Sequence, residues 1–251
     1  MNKPLPIALG MAIILTGCAG TTVEPGHTRA WTDGSWPMLD SSCDRGMRYA
    51  IDREASQVLV RVDPDGPMAR FGHSHVIGGP VIGGAVCFGR AEGPAWIDLS
   101  IDVAALQVDR PTWRRSHGLE PELAEQTIEG TRENLLGQRV LDVHNHPAIE
   151  IRAVGMTGPG WLPEIDVHLK IRDQVRKRRL AVVVDHNPGR LVARGMFRLD
   201  QSDFGLQPFS TAGGALRVAD TLQIRYHIVA HPDPADVAIM PTFPNRLDFE
   251  P

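Results

Sequence analysis

Apolar and polar residues alternate along several segments of this chain, with a period of two. The alternation is unbroken in residues 97–103, 165–172 and 222–228. Because successive side chains of a strand point to opposite faces of a sheet, this pattern predicts strands with one apolar face. Further strands are predicted in apolar runs between Pro- and Gly-rich turns, at residues 57–62, 76–88, 149–154, 180–185 and 191–199. The chain is therefore expected to contain about eight antiparallel strands.

One segment, residues 119–138, does not follow this period. It has glutamates near its start, few β-branched residues, apolar residues at helical spacing and Gly137 near its end. This composition predicts a single amphipathic helix. Many strands with one helix indicate an all-β sandwich or barrel, and a barrel whose interior is wider than its side chains can fill holds a ligand. The alternation by itself is compatible with a filled core and with a hollow one.

The first residues of the chain have the pattern of an export signal. Lys3 precedes an apolar run at residues 7–15, which is too short to span a bilayer. The run ends in Leu-Thr-Gly-Cys, which resembles the lipobox of bacterial lipoproteins. We expect cleavage after Gly17 and lipidation of Cys18, so that the mature protein is anchored to a membrane and faces the periplasm. Ala19 after the cysteine favours sorting to the outer membrane, as in enteric bacteria.

These patterns divide the chain into four parts. Residues 1–17 form the signal peptide, and 18–48 form a flexible tether that starts at the lipidated cysteine. Residues 49–230 form the β-domain, and 231–251 form a Pro-rich tail.

Two further cysteines, Cys43 and Cys87, belong to a compartment that permits disulfides. A bridge between them is one alternative. A buried free thiol at Cys87 is the other, because Cys87 lies in an apolar strand.

Charge and composition exclude some classes of function. The chain has 26 basic and 30 acidic residues and a formal net charge of −4, so it lacks the basic surface expected of a nucleic-acid-binding protein. It contains no nucleophile elbow, P-loop or dinucleotide fingerprint, and no enzymatic activity is expected from its motifs. The basic run at residues 176–179 is predicted to be a solvated turn, with contact to lipid headgroups as the alternative.

Four histidines form two His-x-His pairs, His73 with His75 and His144 with His146. On a strand, residues i and i+2 face the same side, so each pair would present two imidazoles to one metal ion, with Asp142 as a further ligand. Zn or Cu would suit such a site. The other interpretation places both pairs in turns or at strand edges, with solvated or hydrogen-bonded rings. A metal-binding envelope protein or a metal-dependent enzyme is therefore an alternative function.

Several short motifs, in order along residues 49–230, resemble the YceI-like lipid-binding family. They are Tyr49, Ile51, Asp52 and Ser56; the paired glycines of residues 76–88; His146, Pro147, Ile149 and Ile151; Leu169, Ile171 and Arg172; Asp203, Phe204, Gly205 and Leu206; and Val218, Asp220, Leu222, Ile224 and Ile228. The chain departs from the family pattern at Asp173, which replaces a glycine, at Gln201, which replaces an arginine, and in the longer insert at 119–138.

The resemblance implies an extended, lipocalin-like antiparallel β-barrel that holds a long amphiphile, in relatives a polyisoprenoid chain. The expected function is a lipid-anchored cell-envelope protein that binds such a lipid for sequestration or transport. A bound lipid is expected, and no cofactor is required. The candidates for the apolar lining are Ile97, Leu99, Ile101, Val103, Val167, Leu169, Ile171, Phe197, Leu222, Ile224, Tyr226 and Ile228.

Overall fold

The computed structural model describes residues 31–39, 42–43, 46–89, 96–187 and 189–234. The expected signal peptide, the lipidated cysteine and most of the Pro-rich tail lie outside these residues. None of the helices in the described ranges combines the length and the apolar character that a membrane-spanning helix needs.

The secondary structure consists mainly of strands. In chain order the strands are β1 (Thr32–Asp33), β2 (Gly46–Ile51), β3 (Gln57–Val62), β4 (Pro64–Asp65), β5 (His75–Gly79), β6 (Ile82–Gly89), β7 (Trp96–Asp102), β8 (Gln107–Val108), β9 (Ala148–Thr157), β10 (Glu164–Ile171), β11 (Gln174–Ala181), β12 (Val183–Asn187), β13 (Arg190–Asp200), β14 (Ser210–Thr211), β15 (Leu216–Val218) and β16 (Thr221–Pro232). The two helices are α1 (Pro111–Ser116) and α2 (Glu125–Leu136), and short 3-10 turns occur at Ala69–Phe71, Gln201–Phe204 and Ala212–Gly214.

All pairs of strands are antiparallel, which confirms the predicted fold class. The main sheet runs in the order β11, β10, β9, β7, β6, β2 and β16. Strand β16 then pairs with β13 on one edge, and with both β2 and β3 on the other. Strands β5 and β8 continue from β3, β12 pairs with β13, and β14, β15 and β4 form a small separate sheet.

The barrel is held together without a complete ring of strand pairs. Strands β11 and β12 are separated only by Val182, and β12 pairs with the first half of β13. In the described residues no backbone ladder joins β11 to the second half of β13. The expected number of about eight strands is therefore corrected: in the described residues the main sheet of the barrel has 13 strands, and it is open at this position. Two-residue strands such as β1 and β8 are too short for alternation to indicate them.

The segment with helical spacing forms a shorter helix than expected. Helix α2 covers Glu125–Leu136 of the predicted 119–138, and Gly137 follows it directly. Helix α1 was not expected, because six residues are too few to show a periodic pattern. It begins at Pro111, in the position where proline's fixed φ favours a helix, and it buries Trp113.

The basic run is a strand, which corrects the predicted turn. Residues 176–179 lie in β11 and pair with β10, where Arg179 makes two hydrogen bonds of 2.7 Å to the carboxylate of Asp166. Arg176 contacts Asp33 of β1. Acidic partners on neighbouring strands thus compensate the charges of Arg176 and Arg179.

The described part of the expected tether lies against the barrel. Strand β1 pairs with β11, the guanidinium of Arg152 lies 4.8 Å from the ring centroid of Trp36, and Arg152 donates to the carbonyl of Pro37. Further along, Trp96 donates to the carbonyl of Ser42. Residues 31–39 and 42–43 therefore belong to the folded domain rather than to a free linker, because tryptophan side chains anchor them across several strands.

A disulfide joins Cys43 to Cys87 in β6, with the two Cα atoms 5.8 Å apart. Of the two alternatives for these cysteines, the structure therefore contains the bridge. It connects the segment before β2 to the strand that pairs with β2.

We expect the double variant Cys43→Ser/Cys87→Ser to lower the free energy of unfolding by about 2–4 kcal/mol, because the bridge restricts a long loop of the unfolded chain. Urea denaturation followed by tryptophan fluorescence measures this change. Wild-type protein under reducing conditions should unfold like the variant. Equal unfolding midpoints for the oxidised wild type and the variant would contradict the expectation.

Candidate functional site

The strands enclose an apolar cavity of about 500 Å³. Protein interiors rarely contain voids much larger than a water molecule, whereas ligand pockets measure roughly 300–1,000 Å³. The side chains that point inward from the main sheet therefore do not fill the barrel. This decides between the filled and the hollow interior that the alternation of residues had left open.

The predicted lining residues lie on the cavity wall, with the exception of Val103. Ile97, Leu99, Ile101, Val167, Leu169, Ile171, Phe197, Leu222, Ile224, Tyr226 and Ile228 all contribute to the wall. Val103 is buried, but β7 ends at Asp102, so that Val103 belongs to the turn that follows and packs in the surrounding core. The alternation of a strand does not extend past its last residue.

Other parts of the wall come from segments whose sequences do not alternate. Helix α2 contributes Thr131, Asn134 and Leu135, so the helix covers part of the barrel and lines its cavity. The predicted amphipathic pattern was the only signal for these residues. Further apolar wall residues of this kind include Trp31, Phe71, Val140, Leu141, Leu206, Phe209 and Leu216.

The cavity has one polar end. Val62, the last residue of β3, pairs with His75, the first residue of β5. The residue that follows Val62 and the residue that precedes His75 have polar side chains. The polar residues of the wall are Asp63, His73, His75, Thr131, Asn134, Gln201 and Arg217. Towards the other end of the strands the wall is apolar and includes Phe88, Met156, Pro163, Val184 and Leu191. The cavity therefore has a polar end near His75 and an apolar end opposite to it.

A buried charge cluster supports the polar end. The side chain of Asp109 is fully buried and lies 2.6 Å from Nδ1 of His75 and 2.8 Å from Nη1 of Arg114. It also accepts a hydrogen bond of 2.9 Å from the backbone N–H of Val76. Burial raises the pKa of Asp109, but the hydrogen bonds from His75, Val76 and Arg114 outweigh it, and the net shift is downward. The carboxylate is therefore ionised.

Asp109 also has a backbone conformation that is unusual for a residue with a side chain, with φ at 55°. Its backbone N–H donates to the carbonyl of Val76, so that side chain and main chain both bind the same residue of β5. The position of His75 is thus set by a strained and fully buried neighbour.

Among the described residues, the two His-x-His pairs are not brought together at one point. His75 contacts Asp109, whereas Nε2 of His146 lies 3.7 Å from Asp173. The described residues contain no group of three or more His, Cys, Asp or Glu side chains that is placed to hold a metal ion. His144 lies in a turn, where residues i and i+2 do not share a face, and His73 precedes the first residue of β5.

Tyr226 contributes a phenol to the otherwise apolar middle of the wall. It pairs with Gly195 of β13, and a Cβ atom at Gly195 would overlap the tyrosine ring. The ring of Tyr226 therefore lies across the neighbouring strand, which requires a residue without a side chain. Burial raises the pKa of Tyr226 to about 12, because the phenolate would be poorly solvated there.

Trp31 fills the opening between β11 and β13. Its ring contacts Phe197 and Phe204, with centroids 5.8 and 5.9 Å away, and it lines the cavity. Trp31 Nε1 and Arg178 Nη1 both donate to the carbonyl of Arg198 in β13, at 3.3 and 3.0 Å. Burial lowers the pKa of Arg178. Side chains thus satisfy a carbonyl of β13 that no strand pairs with.

Comparison with known proteins gives the family. The model of the YceI-like domain matches residues 49–230, the same range as the resemblance found from short motifs. The chain belongs to the YceI-like domain family. No curated protein matches the chain.

Two solved structures share the fold of this YceI-like domain. One is BcnA from Burkholderia cenocepacia, with a TM-score of 0.53 and 17% identity, covering 72% of this chain and 99% of that chain. The other is a polyisoprenoid-binding domain from Saccharophagus degradans, with a TM-score of 0.52 and 11% identity, covering 74% of this chain and 99% of that chain. At these identities the likeness concerns the fold.

The structure explains the Asp-Phe-Gly-Leu motif of this YceI-like domain. Phe204 is buried against Trp31, Leu206 lines the cavity, and Gly205 has a positive φ that ends the 3-10 turn. Gln201, which stands in place of the family's arginine, donates to the carbonyl of Ala219. The motif therefore closes one end of the barrel and supports the ring of Trp31.

We expect Trp31→Ala to lower the free energy of unfolding of the YceI-like domain by about 3 kcal/mol or more, because it removes a buried ring and opens the wall. Trp161 is 67% exposed, so Trp161→Ala is the matched control and should change stability by less than about 0.5 kcal/mol. Chemical denaturation measures both. Equal effects of the two substitutions would rule out the wall role of Trp31.

The raised pKa of Tyr226 predicts a loss of stability at high pH. The unfolded phenol ionises near pH 10 and the folded one near 12, so the neutral phenol contributes stability below pH 10 that is lost between pH 10 and about 12. We expect the wild type to lose about 2–3 kcal/mol more than Tyr226→Phe over this interval. Denaturation at a series of pH values tests this difference, and parallel profiles would contradict it.

Proposed function

We propose that this protein binds one long apolar lipid, such as a polyisoprenoid, inside the barrel. The observation that carries the proposal is the continuous apolar wall of a cavity of about 500 Å³. Each buried methylene contributes about 0.8 kcal/mol, so a hydrocarbon chain gains affinity from the whole length of such a wall. A related fold from Saccharophagus degradans, described as polyisoprenoid-binding, supports this class of ligand.

The proposal places the protein at a membrane of the cell envelope. The lipobox-like segment that ends at Cys18 supports a lipid anchor and a periplasm-facing position, with the outer membrane as the expected site. Residues 32–39 lie against the outside of the barrel, so the anchored segment would join the domain beside the opening that Trp31 fills. The protein would then sequester or transport a lipid next to its source.

The role we propose is binding rather than catalysis. Membership of the YceI-like family supports it, and the walls of the cavity are suited to hydrocarbon. The metal-dependent alternative gains no support from the described residues, in which His75 and His146 are directed to different carboxylates.

A bulky residue inside the cavity should displace part of the lipid. Ala193 lines the cavity, and we expect Ala193→Phe to reduce the amount of lipid that copurifies with the full chain by about tenfold or more, because displacing two methylenes costs about 1.6 kcal/mol. Ala181 is exposed on β11, and Ala181→Phe is the matched control. Native mass spectrometry before and after solvent extraction measures the bound lipid.

The wild type should carry an extractable lipid of long chain length, and the control variant should carry the same amount. A wild-type chain that neither carries such a lipid nor takes up an added polyprenol would refute the proposed function. Equal loading of both variants would place the lipid outside the cavity.

A further inference from the structure

The hydrogen bond to Asp109 determines which ring nitrogen of His75 carries the proton. An ionised carboxylate only accepts hydrogen bonds, so Nδ1 of His75 must carry the proton that is shared with Asp109. In the neutral ring, Nε2 then carries the lone pair. Nε2 has no hydrogen-bond partner among the described residues, and His75 forms part of the cavity wall. The polar end therefore presents an acceptor whose tautomer is set from behind by a buried acid.

The arginine that contacts Asp109 and the arginine that lines the cavity already have partners. Arg114 donates to the carbonyls of Glu120 and Ser74, at 2.6 and 2.7 Å, as well as to Asp109. Arg217, which lines the cavity, lies 2.7 Å from Asp65. A phosphate or diphosphate head carries about two or more negative charges. Proteins recognise such a head with guanidinium or ammonium groups that have no other partner. The polar end is therefore better suited to an uncharged head.

Asp63 strengthens this preference. Its carboxylate belongs to the wall, accepts hydrogen bonds from Arg61 and Ser74, and would repel a second anion. A hydroxyl head avoids this repulsion and can donate its proton to an acceptor.

We propose that His75 accepts a hydrogen bond from a hydroxyl group at the end of the bound lipid, so that long-chain alcohols are the preferred ligand class. This inference rests on the proposed function. Asp109 is the positioning residue, because it holds the proton on Nδ1 and leaves Nε2 free to accept. Arg114 compensates the charge of Asp109 and orders the turn beside it.

The experiment compares three probes that have the same polyprenyl chain: the free alcohol, its methyl ether and its monophosphate. Dissociation constants for the purified full chain are measured by the quenching of tryptophan fluorescence. The wild type should bind the alcohol about five- to tenfold more tightly than the ether, which keeps the oxygen but has no proton to donate. The monophosphate should bind more weakly than the alcohol.

His75→Phe should abolish the preference for the alcohol over the ether and leave the affinity for the ether within about twofold. Asp109 keeps Arg114 and Val76 as partners in this variant, so its charge stays compensated. His75→Gln retains an acceptor oxygen and should retain most of the preference. His144→Phe is the matched control, because His144 is exposed in a turn and does not belong to the cavity wall.

A wild type that binds the alcohol and the ether equally overturns the inference, and so does a preference that persists in His75→Phe. If the monophosphate binds more tightly than the alcohol, the preferred head group is a phosphate, and the inference is likewise overturned. The comparison of the two neutral probes on the wild type needs no variant, so the outcome does not depend on the folding of His75→Phe. Failure of the wild type to bind any of the three chains would instead refute the proposed function.

Discussion

An unfilled interior is the constraint on which the rest of this structure depends. Side chains that point into a cavity have fewer partners than those of a packed core, so the pairing of strands around the wall contributes more to the stability of this domain. Strand β16 is central to this arrangement, because it pairs over its length with β13 and in two separate parts with β2 and β3. The disulfide between Cys43 and Cys87 adds a covalent link at the strand next to β2.

The same constraint makes the edges of the sheet important. A gap between β11 and β13 would expose the cavity and leave backbone groups unpaired. Such groups lower the stability of the fold when they are buried, and when they are exposed they can pair with strands of other molecules. Trp31 fills the gap, and Trp31 and Arg178 satisfy the carbonyl of Arg198. The segment before the first long strand is therefore part of the wall, although its sequence is that of a linker. Any lipid anchor at Cys18 would be attached 13 residues before Trp31.

The distribution of polar groups gives the cavity a direction. Polar side chains lie at the end where β3 meets β5, and the opposite end is apolar. The buried acid Asp109 orders His75 at this polar end, which relates a strained position in the core to the ligand head that we propose. Under the proposed function, such a site would suit an amphiphile of low charge.

The sequence by itself determined the all-β class, the family and most of the apolar wall, because the side-chain period of a strand is a local property. Residues 222–228, for example, alternate in the sequence and line the cavity with every apolar side chain. The sequence did not reveal that residues 176–179 form a strand or that Trp31 belongs to the wall. A run of charged residues and a single aromatic residue do not alternate with apolar residues. Whether the barrel is hollow, whether Cys43 reaches Cys87, and whether His75 meets His146 or Asp109 depend on contacts between residues distant in the chain. Only the tertiary structure decided these points, because strand register and closure set such distances and no local pattern records them.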